Sequence, residues 1–207
     1  MNDVAVIDIG NTSLHGAVFS KGKMKAELRL ATRLIRPAAL KEMKKKWARF
    51  KNLEVVIASV VPGPAQYLHK EIPRQWGPKT YLVGKDLKVP IKNRYKNPRQ
   101  VGADRLMNAV AGFHKYHRDL IIIDLGTAIT FDVVSKKGEY LGGIIAPGIE
   151  ISLEALFQKT ALLPRIRLRH PSHRIGRDTV ESIRIGCSVG IGGLCDRIIE
   201  ETERHHS

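Results

Sequence analysis

The sequence predicts an α/β protein built from two related domains, and three observations predict it. Short apolar runs ending in Asp alternate with segments of helical spacing. One stretch of strand, turn and strand occurs twice, at an offset of 116 residues. A chain of 207 residues, 43% hydrophobic and 27% charged, suffices for one large or two small folded domains and excludes a disordered or fibrous chain.

Val4 to Asp8 is an apolar run closing on a carboxylate; Gly10, Asn11 and Thr12 turn the chain, and Leu14 to Phe19 returns as a second strand. The same order recurs at Ile121 to Asp124, Gly126 with Thr127, and Ile129 to Val134. Asp8 aligns with Asp124 and Gly10 with Gly126, the mark of an internal duplication. Between the copies, Ala38 to Phe50 has helical spacing, Val55 to Ser59 reads as a strand, and Pro62 to Trp76 holds a short helix. Leu106, Val110 and Phe113 form one helical stripe that begins at the tetrapeptide GADR. Tyr140 to Pro147 reads as a strand, Glu150 to Phe157 as a helix, and Thr179 to about Glu203 as a long helix with glycine packing positions. The expected domains are residues 1–117 and 118–207. A full copy of the first would need a further strand and helix, so the second is expected to lack them.

Charge is the unusual property, with 35 basic against 20 acidic residues. Residues 1–100 hold 21 Lys and Arg against 7 Asp and Glu, net +14, while residues 101–207 hold 14 against 13, net +1. Such asymmetry attracts anions without choosing among phosphate esters, nucleic acid and acidic lipid. Lys41, Lys44, Lys45, Lys46, Arg49 and Lys51 surround Leu40, Met43, Trp47 and Phe50, which reads as the solvated face of an amphipathic helix. Nucleic acid is a disfavoured partner that the charge alone does not exclude. No run approaches the ~18 apolar residues of a membrane span, and the start MNDVAVIDIG carries acid where a secretory leader carries base. A cytoplasmic protein without a membrane partner is expected. Cys187 and Cys195, eight apart on a helix and so roughly 12 Å along its axis, are expected to stay reduced.

A strand that ends in Asp and turns through Gly and Thr offers backbone N–H groups, a hydroxyl and a carboxylate to one point, which suits phosphate oxygens and hydrated Mg²⁺. Two such hairpins facing each other across a cleft would clamp a triphosphate from both sides. Asp104 in GADR is a candidate base for an acceptor hydroxyl, with helix capping as the plain alternative. Asp132 is a weaker candidate. The pairs His114 with His117 and His170 with His173 lack a companion ligand at a recognisable interval, which disfavours a metal site. The motifs Cys-x-x-Cys and GxxxxGK[ST] are absent.

The chain resembles type III pantothenate kinases of the acetate kinase, sugar kinase, chaperone and actin superfamily. The resemblance rests on DIGNTS at Asp8 to Ser13, SVVP at Ser59 to Pro62, NPRQVGADR at Asn97 to Arg105 and DLGTAITFD at Asp124 to Asp132. It continues through YLGGIIAPGIEISLEAL at Tyr140 to Leu156, KTALLP at Lys159 to Pro164 and TVESI at Thr179 to Ile183. It implies two ribonuclease H-like domains flanking an ATP cleft, and ATP-dependent phosphorylation of pantothenate to 4′-phosphopantothenate, the first step of coenzyme A synthesis.

By the family's pattern, Asp8, Ile9, Gly10, Asn11, Thr12, Ser13, Leu14 and His15 would hold the ATP phosphates, Asp8 helping indirectly to place Mg²⁺, with Thr127 touching ATP from the opposite hairpin. Asp104 would be the base. Tyr95, Gly102, Ala103 and Arg105 would line the pantothenate pocket, Arg105 facing its carboxylate. Asp124 would coordinate a monovalent cation, K⁺ or NH₄⁺, and Thr179 would reach the substrate of the neighbouring subunit in a homodimer. Members continue past the long helix with a strand and a glycine-rich segment beside the adenosine, which nothing here matches. The alternative reading is a catalytically weak relative acting as a transcriptional regulator.

Overall fold

The computed structural model describes residues 2–35, 37–171 and 173–206. The chain divides into two compact units, Met1–Leu120 with Val133–Gly142, and Ile121–Asp132 with Gly143–Ser207.

In the first unit, β1 (Val4–Ile9), β2 (Ser13–Ser20), β3 (Lys23–Ala31), β4 (Glu54–Ser59) and β5 (Lys79–Leu82) form a sheet in the order β3-β2-β1-β4-β5. The first three strands are antiparallel neighbours, whereas β4 runs parallel to both β1 and β5. Ala5, Ile7 and Ile9 of β1, Leu14 and Val18 of β2, and Val55 and Ile57 of β4 alternate onto one buried face. That face is covered by α1 (Pro37–Trp47), through Leu40, Met43 and Trp47, and by α2 (Pro62–Gln75), through Ala65, Leu68 and Ile72. Proline opens both helices, where its missing N–H costs nothing. β3 and β5 were not foreseen. β3 carries Lys23, Lys25, Glu27 and Arg29 and buries little beyond Leu28, so its alternation is masked by charge. It is pinned instead by a two-residue turn at Lys21 and Gly22, both with positive φ (51° and 73°).

The lysine run has a structural explanation. Lys44, Lys45 and Lys46 fill the last turn of α1, where cations oppose the helix dipole, and Lys44 Nζ donates to the carbonyl of Gln75 at the end of α2, 2.9 Å away.

β6 (Lys92–Asn93) leads towards α3 (Ala103–Tyr116). The buried positions of α3 are Arg105 and Ala109; the expected stripe of Leu106, Val110 and Phe113 is only half-buried. His117 ends α3 as its left-handed cap, its N–H bonded to Phe113 O at 2.9 Å, which accounts for that histidine.

β7 (Leu120–Leu125), β8 (Ala128–Val134) and β9 (Glu139–Pro147) join β6 in a four-stranded sheet of order β6-β9-β8-β7. In the second unit Ile129, Phe131 and Ala146 form a core with Ile191, Leu194 and Ile198 of α5 (Thr179–His206), and α4 (Ile149–Lys159) also packs on α5. Cys187 and Cys195 are free thiols. The glycines of α5 are not close-packing positions within the chain: Gly186, Gly190, Gly192 and Gly193 are exposed, and a Cβ at any of them would meet no neighbour within 4 Å. No helix among the described residues is long and apolar enough to cross a membrane.

Gly16 of β2 sits under Trp47, whose ring would lie 2.7 Å from an added Cβ. Trp47 is fully buried. Gly16→Ala is expected to destabilise the fold by about 1–3 kcal/mol in denaturant titration followed by tryptophan fluorescence.

Candidate functional site

In the first unit the site starts where β1 ends. Asp8 lies opposite His15 on the face away from the core, and both side chains are exposed, while Ile9 and Leu14 point into the core. Ile9 and Leu14 therefore have only backbone to offer a ligand. Gly10 N donates to Ser13 O at 3.0 Å and closes the turn, leaving Asn11 and Thr12 exposed at its tip. Ser13 Oγ and His15 Nε2 are 3.0 Å apart.

The turn is braced from behind by residues the sequence reading did not single out for this. Thr32 Oγ1 donates to Gly10 O (2.7 Å) and Thr32 N to Thr12 O (2.9 Å). Ile9 O accepts from Val60 N and from Ser59 Oγ, each at 3.2 Å. Ser59 opens the SVVP block, so that signal was present; Thr32 lies in no recognised block.

Asp104 arrives at the same edge from another element. β4 ends beside Ile9, Val60 follows it, and a Cβ built on Gly102 would come within 3.1 Å of Val60 Cγ1. Gly102 is the N-cap of α3 and Asp104 stands in the first helical turn. A Cβ on Gly102 would also fall 2.4 Å from Asp104 Oδ1, so only glycine leaves the carboxylate where it is. Asp104 Oδ1 accepts from Arg105 N at 2.8 Å. The carboxylate thus serves as a helix-start acceptor with one of its oxygens.

Tyr95 and Arg105 are brought together by Tyr140. The Tyr95 and Tyr140 rings lie 6.4 Å apart, and the buried Arg105 guanidinium stands 6.0 Å from the Tyr140 ring. Tyr140 heads a strand and the YLGGIIAPGIEISLEAL block in the sequence, and its full burial behind Tyr95 is visible only in three dimensions. Beneath it Glu139 pairs with Arg94 and Lys92. Hydrogen bonds from Arg94 and then Lys92 hold the Glu139 carboxyl below its ordinary range.

The second unit repeats the first hairpin with a turn one residue shorter: Gly126 N donates to Ala128 O at 3.1 Å. Asp124 and Thr127 are exposed at this turn. Gly148, the N-cap of α4, donates to Thr127 O at 3.2 Å, and a Cβ there would meet the carbonyl oxygens of Thr127 and Gly126 at 2.3 and 2.4 Å. Asp132 is fully buried, with Thr130 Oγ1 at 3.5 Å, as suits a structural carboxylate better than a base. Thr179 is exposed at the start of α5, which Asp178 caps by accepting from Glu181 N (2.8 Å). It lines a cavity of about 630 Å³ with Leu156, Leu163, Ser182 and Cys187.

The donors suit a nucleotide-borne divalent ion. Among the described residues no three His, Cys, Asp or Glu side chains gather into a metal cage. Mg²⁺ held through phosphate oxygens and water needs only one or two carboxylates, and Asp8 stands beside the turn to supply one.

Residues 4–201 match the family model for type III pantothenate kinase. The chain belongs to the type III pantothenate kinase family. Relatives named type III pantothenate kinase include those of Persephonella marina, 42% identical over 94% of this chain and 81% of theirs, and Finegoldia magna, 41% identical over 97% and 80%. Among solved structures, a Campylobacter jejuni protein assigned by name to a Baf family of transcriptional activators matches with TM-score 0.54 at 18% identity, over 94% of this chain and 78% of that one. A Sinorhizobium meliloti protein named as a 2-dehydro-3-deoxygalactonokinase matches with TM-score 0.53 at 10% identity, over 91% and 80%. At those identities the likeness is one of fold.

Gly148→Ala is expected to push α4 away from the second turn, since both opposing atoms are backbone oxygens. Hydrogen exchange of residues 126–128 and 148–152 should speed up at least tenfold, with residues 4–20 unchanged.

Proposed function

We propose that the protein transfers the γ-phosphoryl group of ATP to the hydroxyl of pantothenate, giving 4′-phosphopantothenate and ADP, with Asp104 as the base. The observation that carries this reading is the approach of Gly102, which leaves the Asp104 carboxylate in place, to Val60, whose N–H bonds the carbonyl just before the braced Gly10 turn. Backbone N–H groups and the hydroxyls of Thr12 and Ser13 bind phosphate oxygens from the turn. As the substrate oxygen bonds to the γ-phosphorus, the bond to the β–γ bridging oxygen breaks and ADP departs. The hydroxyl proton passes to Asp104 Oδ2, while the hydrogen bond from Arg105 N holds the other carboxylate oxygen still.

Arg105 is the partner for the pantothenate carboxylate, since a guanidinium pairs two N–H groups with two oxygens, and Tyr95 with Tyr140 walls the pocket. Asp8 would help place Mg²⁺, and Asp124 would hold K⁺ or NH₄⁺; both ions would supply positive charge against the phosphates. Thr127 meets the nucleotide from the second hairpin. Thr179, exposed at the start of α5, serves the pocket of a second copy in a homodimer. The reaction belongs to the cytoplasm, where ATP and pantothenate meet.

Purified protein with Mg-ATP, pantothenate and K⁺ is expected to release ADP in step with 4′-phosphopantothenate. Asp104→Asn should lower kcat by about 10²–10⁴-fold at an unchanged melting temperature. Gly102→Ala, which displaces the carboxylate without removing it, should fall between the variant and the parent. Parental turnover in Asp104→Asn would rule out this assignment.

A further inference from the structure

The side of the Gly10 turn that faces inward is as well defined as the side that faces solvent. Thr32 follows β3 and heads a short helical turn, Thr32–Leu34. It is only 7% exposed, in a chain segment otherwise rich in charge. Its hydroxyl and its N–H take two different carbonyls, those of Gly10 and Thr12, at 2.7 and 2.9 Å. Val60 N and Ser59 Oγ take the carbonyl of Ile9. Three of the carbonyl oxygens around the turn are thereby engaged by donors of β4 and of the Thr32 segment. A carbonyl dipole aimed at a phosphate would repel it, whereas a turn whose carbonyls are held elsewhere turns its tip to solvent, with the exposed Asn11 and Thr12, while the Gly10 N–H closes it on Ser13.

We propose that Thr32 is a positioning residue for the nucleotide phosphates, its hydroxyl holding Gly10 O so that the turn keeps its anion-binding shape. The inference rests on the reading that this turn binds the ATP phosphates. Thr32 touches no substrate and acts through Gly10 and Thr12. A residue that only completed the fold would, when altered, lower stability and weaken both substrates alike. A positioning residue on this turn affects the nucleotide and spares pantothenate.

The test compares Thr32→Val, which removes the hydroxyl at nearly constant volume, with Thr32→Ser, which keeps it. Measured on the full chain are the dissociation constant for Mg-ATP by calorimetry, KM for each substrate, and the melting temperature. Thr32→Val is expected to raise the ATP dissociation constant and KM by about 5–10-fold, the size of one lost hydrogen bond, with pantothenate KM within twofold and Thr32→Ser close to the parent. Unchanged ATP affinity in Thr32→Val, or equal losses for both substrates, would overturn the inference. Should Thr32→Val not fold, hydrogen exchange on the unaltered protein decides: ATP should slow residues 10–13 and 31–33 together, and protection of the turn without the Thr32 segment would count against it. A parent without ATP affinity would sink the reading and this inference together. A parent that binds ATP but ignores the Thr32 hydroxyl would sink this inference alone.

Discussion

The first unit depends on the parallel pairing of β1 with β4, in register from Val4 with Glu54 to Ile9 with Ser59. That register does two things. It sets Ala5 beside Val55 and Ile7 beside Ile57 on the face that α1 and α2 cover, each large aliphatic side chain contributing roughly 1.5–3 kcal/mol of burial. It also ends both strands together, so that Val60 and Ser59 bond Ile9 O and the turn of β1 opens next to the approach of α3. A slip of one residue would turn Asp8 into the core and Ile7 into water, which is why the carboxylate and the hydrophobic face fix each other.

Close backbone approach then does for the site what burial does for the core. Gly102 clears space for Asp104, and Gly148 lets α4 press its first N–H onto the second turn. In each hairpin the glycine N–H closes the turn on itself, Gly10 to Ser13 and Gly126 to Ala128, so the likeness of the two segments extends from residue order to hydrogen bonding. Three of the first half's basic residues have a structural use: Lys44 bonds the end of α2, and Lys44, Lys45 and Lys46 fill the last turn of α1.

Elements with a strong pattern were legible in the sequence. β1, β2, β4, β7 and β8 alternate or run apolar between turn residues, and α1, α2 and α5 carry helical spacing, so all stand where they were expected. β3 was hidden by its lysines, and β5 and β6 by their length of four and two residues. The placement of Asp104 at the start of α3 followed from GADR, but not that Arg105 and Ala109 would be its buried side, since a buried arginine runs against every hydrophobic pattern. Thr32 and Tyr140 could not be read from spacing at all. Their contacts span 22 and 45 residues of chain, Thr32 with Gly10 and Tyr140 with Tyr95, which no local signal encodes.

The central claim is that the Gly10 turn and Asp104 serve the two ends of one phosphoryl transfer. A crystal structure with a non-hydrolysable ATP analogue and pantothenate tests it most directly. The account requires phosphate oxygens within hydrogen-bond reach of residues 10–13 and the pantothenate hydroxyl within about 3.2 Å of an Asp104 carboxylate oxygen. Phosphates bound away from that turn, or a hydroxyl that finds a different base, would contradict it.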